Sequence, residues 1–169
     1  MEAAKERLIE WLRDAHAMEQ QAEQMLRGQA ERIEHYPEIK QRIEQHIEET
    51  INQAKRIESC MARYDASPSS MKDTAGKMTA MGQALSGMFA GDEIVKGSIA
   101  SYTFEHMEIA SYKTLVATAE LVGDTETKRI CEEILQEEEA MASWLSEHMP
   151  GTIHQYLQRN EASDSSAKR

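Results

Sequence analysis

Residues 8–26, LIEWLRDAHAMEQQAEQML, decide the fold. Leu8, Leu12, Ala15, Glu19, Ala22 and Leu26 recur at steps of three and four, the spacing that lines side chains along one face of an α-helix. Trp11, Met18 and Met25 widen the stripe to that of a helix facing a core. Glu19 completes the same series, so helical geometry turns a carboxylate inward where a soluble bundle would place leucine.

Working outward, this first helix is expected from Lys5 to about Ile33, where His35-Tyr36-Pro37 interrupts it. Pro37 suits the first turn of a second helix, which carries Ile39, Ile43, Ile47, Thr50, Ala54, Ile57 and Met61 and ends near Tyr64. So short a break makes an antiparallel hairpin. Residues 65–91 open with Asp and Ser and are dotted with glycine, and Met71, Met78, Met81, Leu85 and Met88 recur at heptad-like spacing. They predict a crossover holding a short amphipathic helix. A third helix, capped by Asp92, carries Ile94, Ile99, Tyr102, Ile109, Tyr112, Val116 and Ala119 and stops at Gly123. A fourth, capped by Asp124 or Thr125, carries Ile130, Ile134, Leu135, Met141, Trp144 and Leu145, with a stop expected at Pro150-Gly151. Residues 1–157 are thus expected to form one domain, followed by a flexible polar tail over 158–169. Two short-looped hairpins joined by a long link have the connectivity of an all-α, ferritin-like antiparallel four-helix bundle.

Composition narrows the function. With 30 acidic against 19 basic residues, a net charge of -11 repels polyanions, which makes nucleic acid an unsuited partner. No apolar run reaches the ~20 residues of a membrane span, and MEAAKERLIEWL is charged where a secretory signal would be apolar. A cytoplasmic protein without a membrane partner is expected. Cys60 and Cys131 lack CxxC spacing and sit within helical patterns, as small buried hydrophobes do. Phosphate loops, Ser/His/Asp sets and zinc spacings do not occur.

Glu105 falls in the series 102, 105, 109, 112, 116 and Glu138 in the series 130, 134, 138, 141, 145. Each sits near mid-helix, like Glu19. In the second helix His46, Glu49 and Gln53 flank the stripe, and Glu108 lies one turn beyond Glu105. Any one of these has a plainer reading: a glutamate at the edge of a stripe reaches solvent, and a helical histidine serves as hydrogen-bonded scaffold. Together they ask for something positive, because buried carboxylates cost several kcal/mol each and repel one another. Few inward Lys or Arg are available, whereas one or two divalent ions, iron or else manganese, suit a carboxylate-rich site with little histidine. The candidate metal ligands are therefore Glu19, His46, Glu49, Glu105, Glu108 and Glu138. Glu48, Glu132, Glu137 and Glu139 read as solvated, and His16, His35, His106, His148 and His154 as lying off the stripes or near helix ends. Tyr102 and Tyr112 are placed to hydrogen-bond the carboxylates or to reach backbone carbonyls.

The segments WLRDAHAMEQQAEQML (11–26), RIEQHIEETINQ (42–53), GDEIVKGSIASYTFEHMEIASY (91–112) and EEILQEEEAMASWL (132–145) together resemble the family of ferritin-like bacterial stress proteins typified by YciE and YciF, nearer to YciE. The resemblance implies a ferritin-like fold, a homodimer and ferroxidase-like chemistry, with Glu19, Glu49, Glu105 and Glu138 as the ligands of the four helices. A full di-iron site of this type takes Glu-x-x-His from two helices, but Glu49 is followed at that spacing by Asn52 and Glu138 by Met141. Two functions are carried forward. One is a di-metal, di-iron carboxylate stress protein oxidising Fe(II) with oxygen or peroxide. The other is a non-enzymatic dimeric helical interaction protein with a degenerate site. A DNA-coating mini-ferritin is disfavoured by the acidity.

Overall fold

Helix ends follow the punctuation of the sequence, with one exception. Pro37 occupies the first turn of the second helix. Gly123 closes the third at φ +77, the left-handed conformation in which a Cβ would be strained, and its successor's N–H returns to Ala119 O at 2.9 Å. The computed structural model describes residues 1–68 and 91–162. Among them are four helices: α1 Glu2–Arg32, α2 Pro37–Ala62, α3 Glu93–Val122 and α4 Thr125–Glu161. The crossover helix expected within 65–91 falls largely outside the described residues, as does the tail beyond 162.

Both expected caps stand at helix starts, but only one works as a cap. Asp124 accepts from Thr127 N at 3.0 Å and from Thr127 Oγ1 and Tyr64 Oη at 2.6 Å each, and Arg63 Nη2 lies 3.0 Å from it, which ties the end of α2 to the α3–α4 turn. Asp92 makes no side-chain cap bond; its carboxylate faces Lys96 Nζ at 3.2 Å instead.

The exception is Pro150. The helix expected to stop there continues to Glu161, so residues 158–161, expected in the tail, are helical. A proline inside a helix leaves the carbonyl four residues earlier without its N–H partner. Here that residue is Ser146, exposed like Pro150, so water can take the carbonyl. Tertiary contacts hold the extension in place: Thr152 is buried, Tyr156 packs on the core, and Gln155 Nε2 donates to His35 O at 3.1 Å.

α1 packs on α2 and α3, and α4 packs on α3 and α2. His16 of α1 meets Glu58 near the end of α2, while Gln29 and Arg32 meet Gly97 and Glu93 at the start of α3. Every adjacent pair is therefore antiparallel, and α2 ends at the opposite end of the bundle from where α3 begins. The core is in two parts. One cluster holds Leu8, Leu12, Ile57, Met61, Leu115 and Ile134; the other holds Leu26, Ile43, Ile47, Ile94, Met141 and Leu145. Burying each such side chain contributes roughly 1.5–3 kcal/mol, so either cluster can hold its end of the bundle. Along α4, Glu138 comes between Ile134 of the first cluster and Met141 of the second; Glu19, Glu105 and Glu108 fall within the first cluster's span of α1 and α3, and His46 within the second's span of α2.

Candidate metal centre

Each helix delivers its polar residue through the register of its own apolar stripe. Leu12, Ala15, Ala22 and Leu26 are buried and fix α1, so Glu19 is carried in with them at 0% exposure. α3 brings in Glu105 and Glu108, each 1% exposed, and α4 brings in Glu138 at 0%. α2 is turned slightly from the expected stripe: His46, Thr50 and Gln53 are buried and Ala54 is not.

His46, Glu105, Glu108 and Glu138 each offer a ligand atom, and these atoms all lie within 4.8 Å of one another. His46 Nε2 is 3.2 Å from Glu105 Oε1 and 3.3 Å from Glu138 Oε2, without an aligned hydrogen bond to either. Glu19 flanks this group, its Oε1 accepting from the hydroxyl of fully buried Tyr112. Glu19 Oε2, Glu105 Oε2 and both oxygens of Glu108 and of Glu138 are buried with no hydrogen-bond partner.

Electrostatics follow from that crowding. Burial, and then the Glu138 charge, raises the Glu19 carboxyl well above its ordinary range despite the Tyr112 bond. Glu108 is raised in the same way by burial and by Glu138, Glu19 and Glu105. Burial takes Glu138 to about 8, with His46 opposing. For His46 burial works downward, but its contacts with Glu105, Glu138 and Glu49 outweigh it and raise the ring well above its usual value. Without a cation the cluster is thus driven to hold protons. Buried oxygens left unpartnered are rare in folded proteins, and a divalent ion would replace the protons and occupy those lone pairs. The donor set of one imidazole and three carboxylates, with the Glu19 carboxylate beside it, fits such an ion.

Of the six residues expected to bind metal, four converge and Glu19 flanks them. Glu49 stands apart: its Oε2 meets His46 Nδ1 at 2.7 Å on the ring's far side, and its pKa is lowered because burial is outweighed by His46 and Arg42. Glu137 faces outward to Gln53 Nε2 at 2.8 Å and Arg56 Nη1 at 3.2 Å. Tyr112 bonds a carboxylate, whereas the ring of Tyr102 meets His106 edge-on at 4.6 Å. His16, expected off the stripe, is buried, with Nε2 2.7 Å from Glu58; the wide face of α1 takes it in, away from the cluster. Gln53, which in sequence only flanks the α2 stripe, is 0% exposed with Oε1 unpartnered. Its seven-residue spacing from His46 was the available signal. Cys60 and Cys131 are buried and free.

Among solved structures, a protein of Xanthomonas campestris pv. campestris is 42% identical, with a TM-score of 0.81 over 94% of this chain and 99% of that one. The stress protein YciF of E. coli is 24% identical, with a TM-score of 0.79 over 91% of this chain and 99% of its own. The bacterioferritin-related dodecameric thioferritin of Bacteroides fragilis is 18% identical, with a TM-score of 0.73 over 94% and 90%. At those identities the last two speak for the fold alone, which is all-α and ferritin-like. Residues 3–158 match the family described as domain of unknown function DUF892, and the chain belongs to that family.

Proposed function

We propose that the chain is a carboxylate metal protein that takes up one or two transition-metal ions, iron foremost, in the interior of its bundle. The observation that carries this reading is the set of buried, unpartnered carboxylate oxygens converging from α3 and α4 on a single buried imidazole of α2, with Glu19 of α1 beside them. His46, Glu105, Glu108 and Glu138 would hold one ion. Glu19 adds capacity for a second, with Glu108 and Glu138, which have both oxygens unengaged, shared between them. Fe(II) bound there would be the substrate: two ions would give one electron each to oxygen, which with two protons becomes hydrogen peroxide, or to peroxide, which with two protons becomes two waters, and both ions would become Fe(III). The protein's part is to exclude water, supply negative charge that favours the higher oxidation state, and release protons as the ion enters. Tyr112 holds Glu19 in place meanwhile.

Anaerobic loading with Fe(II), metal analysis and then oxygen uptake test the reading. Wild type should hold iron and consume oxygen, and Glu19→Ala/Glu105→Ala should do neither. Equally little metal in both would sink it. The second reading, a non-enzymatic interaction protein with a degenerate site, draws on the absence of the Glu-x-x-His histidines: Asn52 is exposed and Met141 is core. Metal bound without oxygen uptake would select it. In either case a cytoplasmic stress protein acting as a homodimer is proposed, and light scattering showing a monomer would remove the dimer.

A further inference from the structure

An imidazole has two ring nitrogens, and the cluster uses only one of His46's. Nε2 faces Glu105 and Glu138, while Nδ1 is 2.7 Å from Glu49 Oε2. A carboxylate at Nδ1 keeps the hydrogen there, leaves Nε2 as the donor toward a cation and holds the ring plane. Glu49 is itself engaged away from the centre. Its Oε1 accepts from Gln45 Nε2 at 3.1 Å, and Arg42 Nη1 lies 3.6 Å from its Oε2. Its side chain is 24% exposed, against 0% for the ring it touches. To reach the other carboxylates it would have to give up its bonds to His46 and Gln45 and displace the nitrogen donor that faces them.

We infer that Glu49 is a positioning residue and not a ligand: an anionic clamp on the outer nitrogen of His46 that fixes the ring's tautomer and angle, steadied by Gln45 and Arg42. The inference rests on the metal-centre reading and sets Glu49 apart from the other five residues.

The test titrates the full chain with Co(II) alone, comparing wild type with Glu49→Gln, Glu49→Ala and, as a ligand control, Glu105→Gln. The Glu49 variants should bind as many ions as wild type, with d–d absorption bands unmoved, but about 10–100-fold more weakly. The loss should be larger for alanine, because the glutamine amide oxygen still accepts. In the proton NMR spectrum of the Co(II) form, the exchangeable Nδ1 hydrogen of His46 should persist in wild type and exchange away in Glu49→Ala. Glu105→Gln should move the bands or lose an ion. Circular dichroism of the chelator-treated variants separates misfolding from lost affinity, and the near-isosteric Glu49→Gln keeps the comparison readable if alanine disturbs the helix. A lost ion or shifted bands in Glu49→Gln would make Glu49 a ligand, and wild-type affinity in both variants would leave it no role; either result overturns the inference. If wild type itself binds no Co(II), the metal-centre reading falls first and takes this one with it.

Discussion

Replacing Glu108 with leucine should change stability in opposite directions with and without metal. Glu108 is 1% exposed, neither oxygen has a hydrogen-bond partner, and burial with three neighbouring carboxylates raises its pKa. Without a cation it is held as a buried, unsatisfied neutral acid, a state that costs about 1–3 kcal/mol. Glu108→Leu removes that cost and extends the apolar face of α3, so the chelator-treated variant should be more stable by about 1–3 kcal/mol. For a chain of this size that is roughly 2–12 °C in Tm, at about 2–4 °C per kcal/mol. With Mn(II), which avoids redox chemistry, at about 100 times its Kd, wild type should gain about 2.7 kcal/mol. The variant should gain far less. Thermal melts followed by circular dichroism, in chelator and in Mn(II), give both numbers. A variant less stable than wild type in chelator by about 2 kcal/mol would refute the argument, since Glu108 would then be bonded within a satisfied network.

The pH dependence of the metal-free protein has a definite sign. Glu19, Glu108 and His46 bind protons more tightly folded than unfolded, and Glu138 does so up to about 8 against an ordinary 4.5. Their contribution is therefore complete below the ordinary carboxylate range and is lost as pH rises toward and through about 8. The lowered Glu49 and Asp124 act oppositely, but only in acid, below their ordinary 4.5 and 3.8. Urea melts in chelator should show stability falling between about pH 5.5 and about pH 8.5, and a rise would contradict the assignment. Tyr112→Phe leaves Glu19 Oε1 without its donor and should cost about 1–3 kcal/mol in chelator melts; an unchanged midpoint would mean the bond contributes nothing. Asp124→Ala removes the α4 cap and its bonds to Tyr64 and Arg63, and should cost about 1–2 kcal/mol. Its Mn(II) stoichiometry should match wild type, because Asp124 lies outside the cluster; a lost ion would count against that separation.

Glu19 and Glu138 were legible in the sequence because α1 and α4 carry apolar stripes of clear helical period, and a helix whose stripe is fixed has no freedom to rotate its polar members out. α3 is apolar on several sides, and of the stripe expected there Ile99 is exposed and Tyr102 and Val116 only half-buried, so Glu105 is held in by its neighbours Phe104, Ile109 and Tyr112. Glu108 and Glu49 were harder. Each stands at the edge of a stripe, where about 100° of arc separates buried from solvated, and the difference is made by neighbours that no local pattern reveals. α3 packs on both α1 and α4, which takes Glu108 in. In α2 the turn toward α4 buries His46 and Gln53 and leaves Glu49 at the margin. Pro150 misled for a related reason: local propensity marks a break, and contacts from Thr152, Gln155 and Tyr156 override it.

The same geometry bears on which ion the site would select. A second Glu-x-x-His histidine would stand at position 141, where Met141 is 0% exposed and belongs to the Ile47–Leu145 half of the core. That residue bounds the polar layer on one side, so a nitrogen donor there would have to come out of the apolar cluster. The layer is left with one imidazole and carboxylates. Oxygen-rich sets favour harder ions such as manganese and iron over those that prefer nitrogen or sulfur. If the proposed function holds, Zn(II) should compete with Mn(II) by less than at a site with two or more histidines. Met141→His should add a donor and narrow the gap in favour of zinc, at a cost in chelator-treated stability, because an imidazole would replace methionine in the core. Competition titrations on the two proteins would measure that shift, and unchanged selectivity would show that position 141 does not address the ion.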